Sequence, residues 1–335
     1  MSETITLNHG SGYKLTHDLI GNLFAQAFRM SLPLTDSAVL KEDGFFLAFT
    51  TDSYVVDPLF FPGGDIGKLS ICGTVNDLAV SGAIPGYISV SFIIEEGFPF
   101  MDLRRVVVSM AEEAIQAGVS IVTGDTKVVE KGKCDKLYIT TSGTGIIAPQ
   151  FEPLSSGRNV QSGDSLIING PVGNHAVAIL GARKKLSFHS PVISDCASLN
   201  HMIRNVLNSC SEIRFMRDLT RGGLAAVLNE LADMTRFGIT INEESIPVDD
   251  PVRGLCEILG FDPLYLANEG KVLIVAGEKE RDKVLDILRN DPRGKDAALI
   301  GEITSEKRGV VILNTLTGGK RVLDMPSGLQ LPRIC

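Results

Sequence analysis

Three acidic residues stand at strand ends or beside glycine turns, where α/β folds put function. Asp52 ends Thr50-Thr51-Asp52, Asp77 lies in Val75-Asn76-Asp77-Leu78, and Asp125 lies in Thr123-Gly124-Asp125-Thr126-Lys127. Carboxylates that converge with phosphate oxygens are the usual way of holding Mg2+, which keeps waters and takes few protein ligands. Asp also caps helices and closes turns, so each acid alone has a structural explanation. Together with Lys68 and Lys127, which can neutralise phosphate charge, the set reads as a site for phosphate groups and their metal. The loop His9-Gly10-Ser11-Gly12 can offer backbone N–H groups to phosphates, although short glycine loops are common. The chain lacks the G-x-x-x-x-G-K-[ST] phosphate loop.

Further along, Arg217-Asp218-Leu219-Thr220-Arg221-Gly222-Gly223-Leu224 sets two arginines and an acid beside paired glycines. It reads either as a surface ion-pair turn or as part of a site. Asn268-Glu269-Gly270 puts a carboxylate in a tight turn before an apolar strand, a place for a general base or for a turn acid. His9, His17, His175, His189 and His201 show no ligand spacing and, His9 apart, read as structural or solvated. The last residue, Cys335, ends a segment with two prolines, Met325-Pro326-Ser327-Gly328-Leu329-Gln330-Leu331-Pro332-Arg333-Ile334-Cys335. Proline stiffens this tail, and from Asp324 it spans roughly 35–40 Å when extended. A docked terminus with an incidental thiol and a thiol delivered to a pocket are both consistent with it.

The elements that position these residues alternate between strand and helix. Phe45 to Thr51 reads as a buried strand, and Gly64 to Gly82 as a helix with Asp65 as its N-cap. Strands follow at 87–94, 120–123 and 137–147, with a helix at 101–118. Residues 148–163 have the Pro, Ser and Gly density of a boundary. Beyond it, strands are expected at 165–169, 238–241, 271–276, 297–301 and 310–313. Helices are expected at 175–182, 196–208, 222–235 and 279–289.

At 335 residues and 44% hydrophobic, the chain has material for two cores. We therefore expect an α/β (α+β) fold of two domains, 1–150 and 151–320, with a mobile tail at 321–335. A net charge of −8 with no tryptophan argues against a nucleic-acid surface or an anionic membrane partner. No apolar run approaches the roughly 20 residues of a membrane helix, and the first residues do not read as a signal peptide. Six scattered cysteines without a C-x-x-C pair fit neither zinc nor a disulfide framework. The expectation is a cytoplasmic protein with reduced thiols.

The motifs Thr51-Asp52-Ser53, Gly64-Asp65-Ile66-Gly67-Lys68, Asn76-Asp77-Leu78-Ala79 and Gly124-Asp125-Thr126-Lys127 resemble the N-terminal half of the PurM-like ATP-binding superfamily. The 217–224 motif resembles the signature of its C-terminal half. That superfamily includes aminoimidazole ribonucleotide synthetase, selenophosphate synthetase and thiamine-phosphate kinase. The terminal Pro332-Arg333-Ile334-Cys335 resembles the ending of the HypE-type hydrogenase maturation proteins. Tyr13 departs from that family's paired glycines in the N-terminal loop, and it takes positive φ less easily than glycine.

The resemblance implies a PurM-like mixed sheet with helices that dimerises through the sheet, followed by a C-terminal α/β domain. It implies a carbamoyl dehydratase. A carbamoyltransferase maturation protein loads the thiolate of Cys335, ATP phosphorylates the carbamoyl oxygen, and elimination leaves a protein thiocyanate. The cyano group then passes to iron on a hydrogenase maturation scaffold, as a ligand of the nickel–iron centre. By the same resemblance Lys127 and Glu269 serve the dehydration. Asp52, Lys68, Asp77, Asp125, Gly10 and Gly12 serve ATP, and Asp52, Asp77, Asp125 and Asp218 serve Mg2+. The rival readings are another ATP-dependent synthetase of the superfamily, or a scaffold that docks through its tail. The N-terminal loop lacks the reactive cysteine or selenocysteine of selenophosphate synthesis, and purine chemistry does not use a terminal thiol. The tail is expected to swing between an exposed state for loading and a buried one for dehydration.

Overall fold

The computed structural model describes residues 4–10, 12, 14–30, 34–183, 191–325, 331 and 333–335. Ser11, Tyr13, His189, residues 326–330 and Pro332 lie outside the described residues. A short helix α1 (Lys14–Leu19) runs through a π turn (Ile20–Ala25) into α2 (Gln26–Phe28). Next come β1 (Ala38–Glu42), β2 (Phe45–Tyr54), the hairpin β3 (Phe60–Phe61) and β4 (Gly64–Asp65), and α3 (Ile66–Val80). β5 (Ala83–Glu95), α4 (Phe100–Ala117), β6 (Ser120–Val129) and β7 (Leu137–Ile147) complete the first half. Its five-stranded sheet has the order β1-β2-β7-β5-β6, antiparallel except for β5–β6.

Helix α3 starts as its sequence dictates: the Asp65 carboxylate accepts from Gly67 N at 2.7 Å and Lys68 N at 3.2 Å. It is apolar nearly all round because it is covered on every side. One flank lies on β2, β5 and β7, and others meet α4, α6 (Asn200–Ser209) and β9 (Ile213–Asp218) of the second half.

Strand alternation decides which residues face α3. Asp52 is paired with Thr141, Thr141 with Val90, and Val90 with Gly124. Thr141 and Val90 are buried, so this row points to the helices. The next row is Ser53, Thr140, Ser91 and Asp125, and it points to the other face. Phe49, Tyr87, Ile93 and Ile146 are exposed on that outer face.

The second half contains β8 (Ser165–Ile168), α5 (Asn174–Ala182), α6, β9, α7 (Gly223–Thr235) and β10 (Gly238–Asn242). It continues with α8 (Asp250–Leu259), β11 (Val272–Ala276), α9 (Arg281–Arg289), β12 (Ala298–Thr304), β13 (Val311–Asn314) and β14 (Lys320–Val322). The sheet order is β14-β13-β10-β12-β8-β11-β9. Both faces of its centre are covered. Leu166, Ile168, Leu273 and Val275 pack with α7, whereas Ile167, Val272, Ile274 and Ala276 pack with α6 and α9. Two-sided burial explains the uninterrupted apolar runs of β8 and β11.

The expected elements are present, with five differences. The strand expected to be buried at 45–51 is exposed along one face and continues to Tyr54. The strand at 120 does not stop before Gly124-Asp125 but runs on to Val129, because β5 offers it a parallel partner throughout. The helix expected from Cys196 begins at Asn200, since the preceding segment is pinned to the first half. There Asn76 Nδ2 donates to Ala197 O at 3.0 Å, and Leu199 N donates to Asn76 Oδ1 at 2.8 Å. Arg217 and Asp218 end a buried strand, β9, rather than forming a surface turn. β1, α8 and β14 were not anticipated. Among the described residues no helix is long and apolar enough to cross a membrane.

Gly124 is required by closeness, since a Cβ there would sit 2.1 Å from Val90 O. Gly124→Ala is predicted to loosen the β5–β6 pairing and cost about 1–3 kcal/mol. Thermal unfolding checks this, and an unchanged melting temperature would refute it.

Candidate active site

A cavity of about 810 Å³ opens between the two halves, bordered by the N-terminal helix. Its wall is acidic. Asp36, Asp77 and Asp218 each place a carboxylate oxygen within 4.8 Å of the others, and Asp52 lines the same space. Each comes from a different element: the lead into β1, the last turn of α3, the end of β9 and the inner face of β2. Thr50 Oγ1 donates to Asp77 Oδ2 at 2.7 Å, and Tyr54 OH donates to Asp52 Oδ2 at 3.2 Å. Asp218 Oδ2 is buried without a hydrogen-bond partner. Burial foremost, then the neighbouring carboxylates, hold Asp77 and Asp218 well above the usual carboxylate range.

Glu269 enters this cavity from the turn before β11. That turn is fixed on both sides. Gly173 N donates to Asn268 Oδ1 at 2.7 Å, and Asn268 Nδ2 donates to Leu219 O at 3.0 Å. The Asp195 carboxylate accepts from Glu269 N at 3.3 Å and Gly270 N at 3.2 Å, and it pairs with Lys271. Glu269 is 3% exposed and its Oε1 has no partner. Burial, then Asp218, Asp195 and Asp52, push its carboxyl well up, with Arg221 pulling the other way.

The terminal cysteine lies at the same wall. The last three residues dock against residues 55–57, with Arg333 in the left-handed region at φ 53°. Val55 N donates to Cys335 O at 3.1 Å and Asp57 N to Arg333 O at 3.2 Å. Arg333 Nε donates to Val55 O at 2.8 Å, and its Nη1 pairs with Asp135. Ile334 is buried in the core of the first half. The Cys335 thiol is pushed up to about 12 by burial and then by Glu269, Asp52 and Asp218, against the pull of Arg221. The Arg221 pKa is raised, the Cys335 thiolate being the first cause.

The structure therefore brings together Asp52, Asp77, Asp218, Glu269 and Cys335, with Gly12 on the same cavity and Gly10 on a small adjoining one. It does not bring Asp125 and Lys127 there. They pair with each other at 2.8 Å, exposed on edge strand β6, on the sheet face opposite Asp52. Lys68 Nζ donates to Gly63 O at 3.2 Å beside the start of α3 and does not line the cavity. Sequence reasoning missed Asp36, which has no glycine or strand end beside it. It also missed Asp195, which acts only by folding back on a distant turn. Arg221 lay inside a recognised motif without a role. Arg217, its neighbour in that motif, clamps Asp36 at 3.0 Å and also binds Glu230. Glu230 in turn bonds His17 at 3.2 Å, tying α1 over the cavity.

These carboxylates carry a pH signature. With pKa values raised in the folded state, the native protein binds more protons than the unfolded chain. The window runs from the ordinary carboxylate range to the raised values, and stability falls as pH rises through it. Asp218→Asn is predicted to raise the melting temperature at neutral pH without divalent cations, by about 2–4 °C per kcal/mol relieved, and to flatten its pH dependence. A variant no more stable than the parent across neutral pH would refute this.

Residues 34–147 match the family described as AIR synthase related protein, N-terminal domain, and residues 161–314 match its C-terminal domain. The carbamoyl dehydratase HypE of Rhodobacter capsulatus is 50% identical over 338 residues, covering 99% of this chain and 98% of the relative. The crystal structure of a HypE–HypF complex contains a chain 46% identical with a TM-score of 0.86, covering 92% of this chain and 99% of that one. A HypE structure in complex with ATP is 45% identical with a TM-score of 0.83, covering 99% and 100%. With identity of this order along almost its full length, and with a terminal cysteine laid against an acidic cavity, the chain belongs to the HypE carbamoyl dehydratase family of AIR synthase related proteins.

Proposed function

We propose that the chain is an ATP-dependent carbamoyl dehydratase whose substrate is its own C-terminus. The observation that carries this is the position of Cys335, which lines the same cavity as Asp77, Asp218 and Glu269. A carbamoyl group on the sulfur would face both a phosphate-binding wall and a base.

The chemistry needs two events. The carbamoyl oxygen attacks the γ-phosphorus of ATP, forming a C–O–P linkage and releasing ADP, and the nitrogen gives up its first N–H proton. The nitrogen then loses its remaining N–H proton while the C–O bond breaks, giving S–C≡N and phosphate. The sum consumes one ATP and yields a thiocyanate, ADP, phosphate and a proton. Glu269 is the base: its Oε1, buried without a hydrogen-bond partner, can accept the N–H proton, and burial strengthens its hold on that proton. Gly10, Gly12 and Asp52 border the space left for ATP.

Asp36, Asp77 and Asp218 would hold Mg2+. Three converging hard oxygen donors, one of them an orphaned buried oxygen, fit that ion, which when bound supplies charge neutralisation on the phosphates.

The thiol's elevated pKa sets the order of events. A docked free thiol at about 12 is a poor nucleophile at neutral pH, so loading takes place with the tail out. S-carbamoyl cysteine carries no ionisable proton on sulfur, and it enters the desolvated wall without that penalty. The loading partner is a HypF-type carbamoyltransferase, in keeping with the solved HypE–HypF complex, and the acceptor is an iron-carrying maturation scaffold. The reaction belongs to the cytoplasm.

Asp125 and Lys127 enter the reading through a second copy. They share the outer sheet face with Thr51 and Ser53, which border the cavity, and with the apolar Phe49, Tyr87 and Ile146. A homodimer built on this face covers the apolar residues and turns each Lys127 toward the neighbouring site, where it stabilises the phosphoryl charge.

Intact mass spectrometry after incubation with the transferase, carbamoyl phosphate and ATP tests the reaction. A carbamoyl gain is expected, followed by ATP-dependent loss of one water; a mass that never changes would leave only a docking scaffold. Cys335→Ala should abolish loading with ATP binding intact. Glu269→Gln should load normally but dehydrate about 10²-fold or more slowly. Mixing Lys127→Ala chains with Cys335→Ala chains should restore dehydration, because each hybrid dimer keeps one complete site. Failure to complement would place Lys127 in its own chain's reaction.

A further inference from the structure

The docked tail is held from two sides, and only one of them is the first half's backbone. The carbonyls of Arg333 and Cys335 point toward residues 55–57, and Arg183 adds a bond to Arg333 O at 3.0 Å. Arg333 itself has left-handed backbone, with φ at 53°, and the carbonyl that follows it faces the second half instead. That carbonyl, of Ile334, is met by His175 Nε2 at 2.9 Å, at the start of α5 in the second half.

His175 is fully buried and oriented on every side. Phe61 meets its ring edge-on at 5.5 Å. Its Nδ1 lies 2.8 Å from Ser194 Oγ, which itself accepts from Cys196 N at 3.1 Å. A carbonyl can only accept, so Nε2 carries the proton. Nδ1 is then the acceptor, and the Ser194 hydroxyl donates to it. Burial pulls the imidazole pKa down, in keeping with this neutral form. Ser194 is adjacent to Asp195, the residue that fixes the turn carrying Glu269. One short segment thus orients both the tail's tether and the base.

We propose that His175 is the positioning residue that holds the tail docked, its Nε2–H fixing the Ile334–Cys335 peptide so that the sulfur faces the cavity. The inference rests on the dehydratase reading for its purpose, but not for its test. Without the imidazole donor, docking buries an unsatisfied carbonyl, and the docked state loses ground on the order of tenfold.

The test is the rate at which iodoacetamide alkylates Cys335 in the intact, unloaded protein, read by peptide mass spectrometry with Cys210, which packs away from the tail, as an internal reference. The docked thiol is half-buried and burial keeps it protonated, so alkylation, which needs the thiolate, reports the undocked tail. His175→Phe keeps a ring against Phe61 but has no donor, and should speed Cys335 alkylation about tenfold with Cys210 unchanged. His175→Gln, whose amide can donate to the same carbonyl, should restore slow alkylation. In carbamoylated protein His175→Phe should slow dehydration, with ATP affinity unaltered and Gln again rescuing. If the His175 variants do not fold, Ser194→Ala, which frees the imidazole to turn, should raise Cys335 alkylation in the same direction. Parental alkylation rates in a folded His175→Phe or in Ser194→Ala, or equal acceleration at every thiol, would overturn the assignment. If wild-type protein never dehydrates, the dehydratase reading fails instead, and the alkylation series still judges His175.

Discussion

Buried negative charge with too little positive charge to answer it is the condition on which this molecule is organised. Asp36, Asp77, Asp218 and Glu269 are held where water is scarce, while Arg217 and Arg221 compensate only part of the charge. Such a cluster costs folding free energy, so everything around it must be rigid enough to keep it. The rigidity comes from α3, covered on all flanks, and from a C-terminal sheet packed on both faces. A bound cation and polyphosphate would turn the unfavourable field into a favourable one.

The same constraint separates the acids into two groups that share a sequence style but not a place. Asp52 and Asp125 both follow small residues in strands, yet the pairing register sets them on opposite faces of one sheet. A single chain therefore presents a carboxylate-lined cavity behind the sheet and a carboxylate–lysine pair in front of it. The apolar residues around the second group give that face its own reason to be covered.

Much of this was legible beforehand. The N-cap of α3 and the alternation of strands and helices rest on local signals of spacing, caps and glycine, and so does the singling out of Cys335, which lies on the cavity wall. What escaped depends on distant pairing. Nothing near Gly124-Asp125 announces that β5 carries the strand onward, and only the sheet register shows that Asp125 leaves the company of Asp52. Asp36 and Asp195 do their work through residues more than seventy positions away. His175, read from sequence as structural or solvated, is buried, and what it touches is the other end of the chain.

A substrate carried on about ten residues of the enzyme's own chain changes what saturation means. The reacting group never has to be captured from solution, and its effective concentration is set by the tether. Occupancy of the site is then a folding-like equilibrium of a peptide strand, decided by a few hydrogen bonds and the burial of Ile334. Metabolite level has no hold on it. Such an enzyme has no Michaelis constant for its carbamoyl substrate, and each molecule processes one cargo before a partner must reload it.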